Sequence, residues 1–424
     1  MTNAGHESGR TSTRHKSTTM PRSRPWWPRA ELRRDEDFHL ERKVSWLELF
    51  FDLVFVVVLA RLAHDLAHHP DVDHVVDFVL LFAAVFWAWN AFTYYIERFE
   101  SGGVEQRCFV FAAMACVAAL AVWTEGGLGN HYTGFAQAYI AVRTVNMIQW
   151  IRAGVHVPEF RPVAVRFVAG FGVTATLLLV AMRTDGDARR LVFACAILVD
   201  ILTPVFTLTR QAALPQLSTS KFPERFGLFT IVVLGESVVG AITAMSELNE
   251  TTGLGGRQLL DGALGLCVGI GLWWIYFDFV ARRPPKPVLA AVLGWVYLHL
   301  VTLAAITATG AAISLVSAET IEGPAPEGRK LLTGAAAVAL LGLAALELTL
   351  RRDDGEPTHP TISPCTKAVA AVVILTLGWL EVGWSSTTLL VAIVAALAVP
   401  VLYGTTVWYS PNNVHRTLTR GEAS

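Results

Sequence analysis

Charge is scarce in this chain. Of its 424 residues only 16% are Asp, Glu, Lys or Arg, whereas an ordinary soluble protein carries about 25%. A net charge of −1 says little about partners, and no nucleic acid is expected among them. Cysteine is scarce too. Cys108, Cys116, Cys195, Cys267 and Cys365 show no C-x-x-C spacing, which excludes a zinc ribbon or a dithiol redox motif. They fall mostly within apolar runs, where a thiol acts as a small buried hydrophobe. Motifs of soluble catalysis are missing as well: there is no P-loop, no dinucleotide fingerprint and no H-E-x-x-H. The stretch "VLGES" lacks the G-x-S-x-G of a nucleophile elbow and has no strand before it. No cofactor and no metal is expected. The polar first 44 residues contain no apolar h-region, so a cleaved signal peptide is not expected either.

What is present is hydrophobic: 53% of the residues, gathered into runs broken by short loops. Each run has about 20 residues, the length that carries a helix across a hydrocarbon core of roughly 30 Å. Lipid offers the backbone no hydrogen-bond partner, so such runs cross as helices. The chain reads as an all-α integral membrane protein with about 12 transmembrane helices. They fall at about 45–66, 74–97, 105–123, 130–152, 160–182, 190–209, 224–246, 259–282, 287–315, 329–350, 365–383 and 386–408. Cations flank alternate ends. "RAGVHVPEFRPVAVR", "ARRPPKP" and the Arg-rich N-terminal tail mark the cytoplasmic side, with "RTDGDARR" a mild exception. Both termini are therefore expected in the cytoplasm. Residues 1–44 read as a disordered basic tail, in which Trp26 and Trp27 also suit attachment to anionic lipid heads.

Two aromatic stretches resemble each other. "FWAWNAFTYYIERF" closes the second run and "LWWIYFDFVARR" the eighth; a shift of 185 pairs Trp89 with Trp274 and Arg98 with Arg283. A shift of 184 lays Asp52 on Glu236. This predicts a 6+6 parallel repeat: 45–209, a cytoplasmic linker over 210–223, then 224–409, with a second tail over 410–424. Parallel repeats of this kind occur in transporters.

Against that apolar background the buried charges stand out. Each costs about 2.5–3.5 kcal/mol at mid-bilayer and persists where it faces a protein interior or a watery cavity. Glu48 and Asp52 share one helix face in "WLELFFDLVFVVVL". Glu236 lies mid-run, beside a Gly235 that would admit a close neighbouring backbone. Arg143 has no charge near it in sequence, and Asp52, Asp200 and Glu236 are the acids available to it. Asp200 precedes Pro204 by four, so the proline frees its carbonyl. His299 and Asp278 complete the intramembrane candidates, and Glu224 and Arg225 open the seventh run. His64 and His68 have a spacing that could ligate a metal, but they read better as outer-interface residues. The substrate- or ion-binding set is thus Glu48, Asp52, Arg143, Asp200, Glu236 and His299, supported by His64, Glu224, Arg225 and Asp278. No catalytic residue is assigned. Buried ion pairs that only fix helix register are the structural alternative for the same residues.

"SWLELFFDLVFVVVLARLAH", "ERFGLFTIVVLGESVVG", "FWAWNAFTYYIERFE", "WWIYFDF" and "YLHL" together resemble the bacterial low temperature requirement A family, from about Val44 to Tyr409. The resemblance implies a multi-pass bacterial plasma-membrane protein of unsettled biochemical role. It also implies recurrent polar positions at Glu48, Asp52, His64, Glu224, Arg225, Glu236 and His299. Where that family often has His before the Glu-Arg pair, this chain has Lys221. The two-repeat layout is also similar to that of endolysosomal potassium channels, although their Arg…Phe-Ser-Asp spacing is absent. A transporter or ion-conducting protein with carboxylates in a central cavity is expected. The alternatives are a membrane enzyme acting on a lipid or lipid-linked substrate, with His299 as acid or base, or a structural or sensory membrane protein. Expected partners are the lipid bilayer and a small ion or polar solute, with homo-oligomerisation left open.

Overall fold

Backbone groups that cannot reach water must satisfy one another, and here they do so as helices. The computed structural model describes residues 26–32, 44–99, 103–214, 221–251, 255–318, 325–352, 355–380 and 383–409. The remainder of the tails expected over 1–44 and 410–424, and residues 215–220 of the expected linker, lie outside the described residues. The helices are α1 (Trp46–His68), α2 (Val72–Arg98), α3 (Val104–Val122), α4 (Tyr132–His156), α5 (Arg161–Ala181), α6 (Gly186–Leu202) and the single turn α7 (Leu208–Gln211). They continue with α8 (Lys221–Thr251), α9 (Gly256–Tyr276), α10 (Leu289–Ala318), α11 (Pro326–Thr349), α12 (Ile362–Trp379) and α13 (Ser386–Trp408). The twelve long helices coincide with the expected runs to within a few residues at most ends.

Ten of these are long and apolar enough to cross a membrane by length and composition. The other two of the twelve long helices, α1 and α4, are not among the ten. The reason is polar content: α1 carries Glu48, Asp52, Arg61 and Asp65, and α4 carries Arg143, Asn146, Gln149 and Arg152. Tertiary packing buries Glu48, Asp52, Arg143, Asn146 and Gln149, while Arg61 stays exposed. α1 packs on α2, α3, α8 and α10, and α4 on α2, α3 and α5. Apolar side chains point outward elsewhere, among them Val57, Val173, Val301, Val372 and Leu402. This is the surface a lipid-embedded bundle presents.

Local chemistry sets the helix ends. Ser45 caps α1 by accepting from the Glu48 backbone N–H, and Asp71 caps α2 by accepting from that of His74. The His74 N–H holds the exposed Asp71 carboxyl below the usual range. Pro204 ends α6. The carbonyl it frees, that of Asp200, accepts a hydrogen bond from Trp87 Nε1 at 3.0 Å. A short 3₁₀ turn, Val205–Thr207, then leads into α7. α9 continues into a π-turn over Phe277–Ala281.

An aromatic core joins the two halves of the chain. Trp89 of α2 stacks on Phe229 of α8 at 4.1 Å, with Phe55, Phe86 and Phe226 around them, all buried. Close backbone approach depends on Gly342, where an added Cβ would lie 2.3 Å from Thr302 Oγ1 of α10. The approach expected at Gly235 is not found, since nothing lies within 4 Å of a Cβ there; Gly240, one turn on, meets the Gly310 carbonyl at 3.1 Å instead. Within the tail expected to be disordered, residues 26–32 pack on α3 and α4. The Pro28 carbonyl accepts from Arg152, Trp27 packs on Phe109, and Ala30 is buried.

Candidate functional site

The sequence-selected charges fall into separate clusters. The first lies between α1 and α8. Lys221 Nζ is 3.0 Å from Glu48 Oε1, and Arg225 Nη2 is 2.5 Å from Asp52 Oδ1. Trp89 Nε1 donates to the same Asp52 oxygen at 2.7 Å, and Arg225 Nη1 reaches Glu48 Oε2 at 3.5 Å. Both pairs join residues 173 apart, one helical turn from each other, so α1 and α8 run parallel with acids on one and bases on the other. Two anions meet two cations, all buried, and the cluster is neutral. Arg61, in the C-terminal half of α1, is not part of it and pairs with Glu125 at 2.9 Å.

The second cluster lies between α4 and α6. Of the acids available to Arg143, Asp200 is the partner, at 2.5 Å. Tyr139 donates to the other Asp200 oxygen at 2.9 Å, and Arg143 Nη1 donates to Asn146 at 3.1 Å. Asn90, Arg143 and Asp200 line a cavity of about 60 Å³ walled by Trp87, Trp150 and Phe171.

Glu236 belongs to neither cluster. It lines a polar pocket of about 330 Å³ between α1, α8 and α10, with Arg61, His64, His68, Glu125 and Ser314. Among the described residues no cation lies within salt-bridge range of its carboxylate. Asp52 and Glu236, equivalent under the 184-residue shift, therefore have opposite surroundings. Asp52, Arg143 and Glu236 do not converge on one cavity, which corrects the expectation of carboxylates in a single central cavity. Mid-helix acids attract whichever cation the packing brings within reach, and Arg225 and Arg143 serve Asp52 and Asp200 separately.

The remaining candidates are placed as follows. His299 is buried among Phe226, Trp295 and Tyr276. Its Nδ1 bonds the Trp295 carbonyl at 2.8 Å and its Nε2 faces the Tyr276 hydroxyl at 3.1 Å. Asp278 accepts from Trp274 and Arg282, its neighbours one turn before and after. Glu224 is an exposed acid in the first turn of α8, favourable to the helix dipole. The His64 and His68 rings lie 4.1 Å apart, tilted to each other, and no group of metal-ligating side chains is found among the described residues.

Sequence reasoning missed two features. Lys221 was noted only as a departure from the family pattern, yet it is the buried partner of Glu48. In the second half, Glu347 of α11 accepts from Arg283 at 3.1 Å, Lys367 at 2.9 Å and Ser363 at 2.8 Å. Lys367 also lies 3.6 Å from the Phe279 ring centroid. Glu347 in "AALELTL" and Lys367 in "PCTKAVAAVV" break apolar runs as plainly as Asp52 does.

With this geometry in place, the likeness to known proteins can be weighed. No solved structure matches the chain. An uncharacterized protein of Rhizobium meliloti (strain 1021) is 25% identical over 293 residues, which covers 65% of this chain and 70% of that protein. The family description "Bacterial low temperature requirement A protein" matches residues 43–406, a span that takes in every long helix and all of the clusters above. The chain belongs to the bacterial low temperature requirement A family, and is a multi-helix membrane protein of that family.

Proposed function

We propose that the protein moves a small cation or a proton across the membrane, and that Glu236 is the carboxylate that binds it. One observation carries the reading. Glu48, Asp52, Asp200 and Glu347 each lie against a cation, while Glu236 faces a polar pocket with none in range. An acid retained in a membrane helix is costly, and an unpaired one beside a polar cavity is suited to a passing ion. The paired acids have partners enough to account for their retention as helix contacts.

Two further points support a transporter. The α1–α2, α1–α3, α3–α4, α4–α5, α5–α6, α2–α4 and α2–α6 contacts recur as α8–α9, α8–α10, α10–α11, α11–α12, α12–α13, α9–α11 and α9–α13. We read this as a 6+6 parallel repeat, a transporter layout. The Glu236 pocket and the Arg143–Asp200 cavity also lie toward opposite ends of the helices, the second at the level of Trp89 on α2. From the distribution of cations we read both termini as cytoplasmic and the Glu236 pocket as facing outward.

The test is reconstitution in liposomes with a proton or cation gradient. Wild-type protein is expected to dissipate the gradient and Glu236→Gln to abolish the flux while folding normally. Flux that is unchanged in Glu236→Gln would remove Glu236 from the pathway.

A further inference from the structure

A crevice of about 710 Å³ runs along the seam where α2 of the first half meets α10 and α11 of the second. Its walls are apolar, formed by Val75, Val79, Ala83, Val301, Ala308 and Val338 among others. Val79, Val301 and Val338 are exposed, so the crevice opens sideways toward lipid and not into the protein interior. Its depth can be read from the helices. On α2 the lining runs from Val72 to Ala83 and on α11 from Glu327 to Val338, roughly 16 Å along each axis. That is about half of a ~30 Å hydrocarbon core, or one leaflet.

The charged end of the crevice differs from the rest. Asp71, Glu327 and Lys330 sit there together, and among the described residues no other ionisable side chain lines it. Glu327 and Lys330 are both exposed, and no ion pair joins them among the described residues. Asp71 is held in place by His74, which bonds both of its carboxylate oxygens, at 3.1 and 2.7 Å. Two acids and one base at the mouth of a one-leaflet apolar slot match a headgroup carrying both a phosphate and a primary ammonium. Lys330 suits the phosphate, and Asp71 and Glu327 suit the ammonium. A headgroup with negative charge alone would meet two carboxylates and one amine.

We infer that this crevice is a binding site for one phospholipid with an amine-bearing zwitterionic head, of the phosphatidylethanolamine type, its acyl chain lying between the two halves of the protein. The inference is independent of the ion-transport reading, because neither Glu236 nor its pocket touches the crevice.

Gly334 provides a safe way to test it. It lines the crevice, and an added Cβ would meet nothing within 4 Å. Gly334→Leu therefore brings in a Cβ that meets nothing, extends its side chain into the slot and raises helix propensity. The full-length protein is delipidated in detergent and given phosphatidylethanolamine or phosphatidylglycerol of the same acyl chains, and bound lipid is counted by native mass spectrometry. Wild type is expected to hold one phosphatidylethanolamine, seen as a one-lipid adduct with a raised melting temperature, in preference to phosphatidylglycerol. Gly334→Leu is expected to lose the adduct at an unchanged lipid-free melting temperature, and Lys330→Gln to weaken it. Equal adducts in wild type and Gly334→Leu would overturn the site. Equal binding of the two lipids to wild type would overturn the headgroup assignment.

Discussion

Asp52 shows how much of a residue's meaning lies in its partner. Its conspicuous place in an apolar run singles it out in the sequence, but the sequence does not reveal that Arg225, 173 residues away, neutralises it. The spacing of Glu48 and Asp52 predicts a shared helix face, and they do share one. The matching spacing of Lys221 and Arg225 was equally available and carries the complementary half of the contact. Glu236 was legible as a buried acid; its lack of a partner was not, because only packing decides which cations come within reach. Removing one member of a buried pair leaves the other uncompensated, at a cost of about 3–5 kcal/mol. Asp52→Asn leaves Arg225 only the longer contact to Glu48 and is therefore expected to lower stability by up to that order, measured by thermal unfolding in detergent. Glu236→Gln strands no partner and is expected to leave the unfolding midpoint close to wild type.

At the scale of the helix, α6 is the informative case. Pro204 four residues after Asp200 was enough to predict a freed carbonyl. What satisfies that carbonyl, the Trp87 indole of α2, has no local signal, since the contact spans 113 residues. The side chain of the same aspartate pairs with Arg143, so one residue ties α6 to α2 through its backbone and to α4 through its carboxylate. Trp87→Phe keeps the ring and removes the donor. It is expected to cost about 1–3 kcal/mol, the penalty for a buried acceptor left unmade, again read from thermal unfolding. Helix existence was legible throughout, because runs of about 20 apolar residues admit no other solution in lipid. The two helices that miss the span criterion, α1 and α4, are those whose polar residues build the clusters. Composition flags them as unusual, and only their neighbours explain why they are tolerated.

For the whole molecule, the seam between the halves is where the interactions concentrate. The Glu48–Lys221 and Asp52–Arg225 pairs, the Trp89–Phe229 stack and the lipid-facing crevice all lie along it. A chain cut between Leu214 and Lys221 and expressed as two pieces is expected to reassemble, with the halves co-purifying. Glu48→Gln with Asp52→Asn in the first piece is expected to abolish co-purification. The internal likeness on which the repeat reading began was legible only as an aromatic echo between two helix ends. The shift of 184 aligned Asp52 with Glu236, yet Asp52 is paired with Arg225 while Glu236 has no cation in salt-bridge range among the described residues.

The central claim is that paired acids hold the helices together while the unpaired one handles the ion. Ion flux in proteoliposomes, normalised to folded protein, tests it most directly when Glu236→Gln is compared with the double variant Asp52→Leu/Arg225→Met. Replacing a buried pair by apolar residues of similar size is often tolerated. The expected result is flux lost in Glu236→Gln and retained in the double variant. Flux retained in Glu236→Gln and lost in a well-folded double variant would contradict the claim.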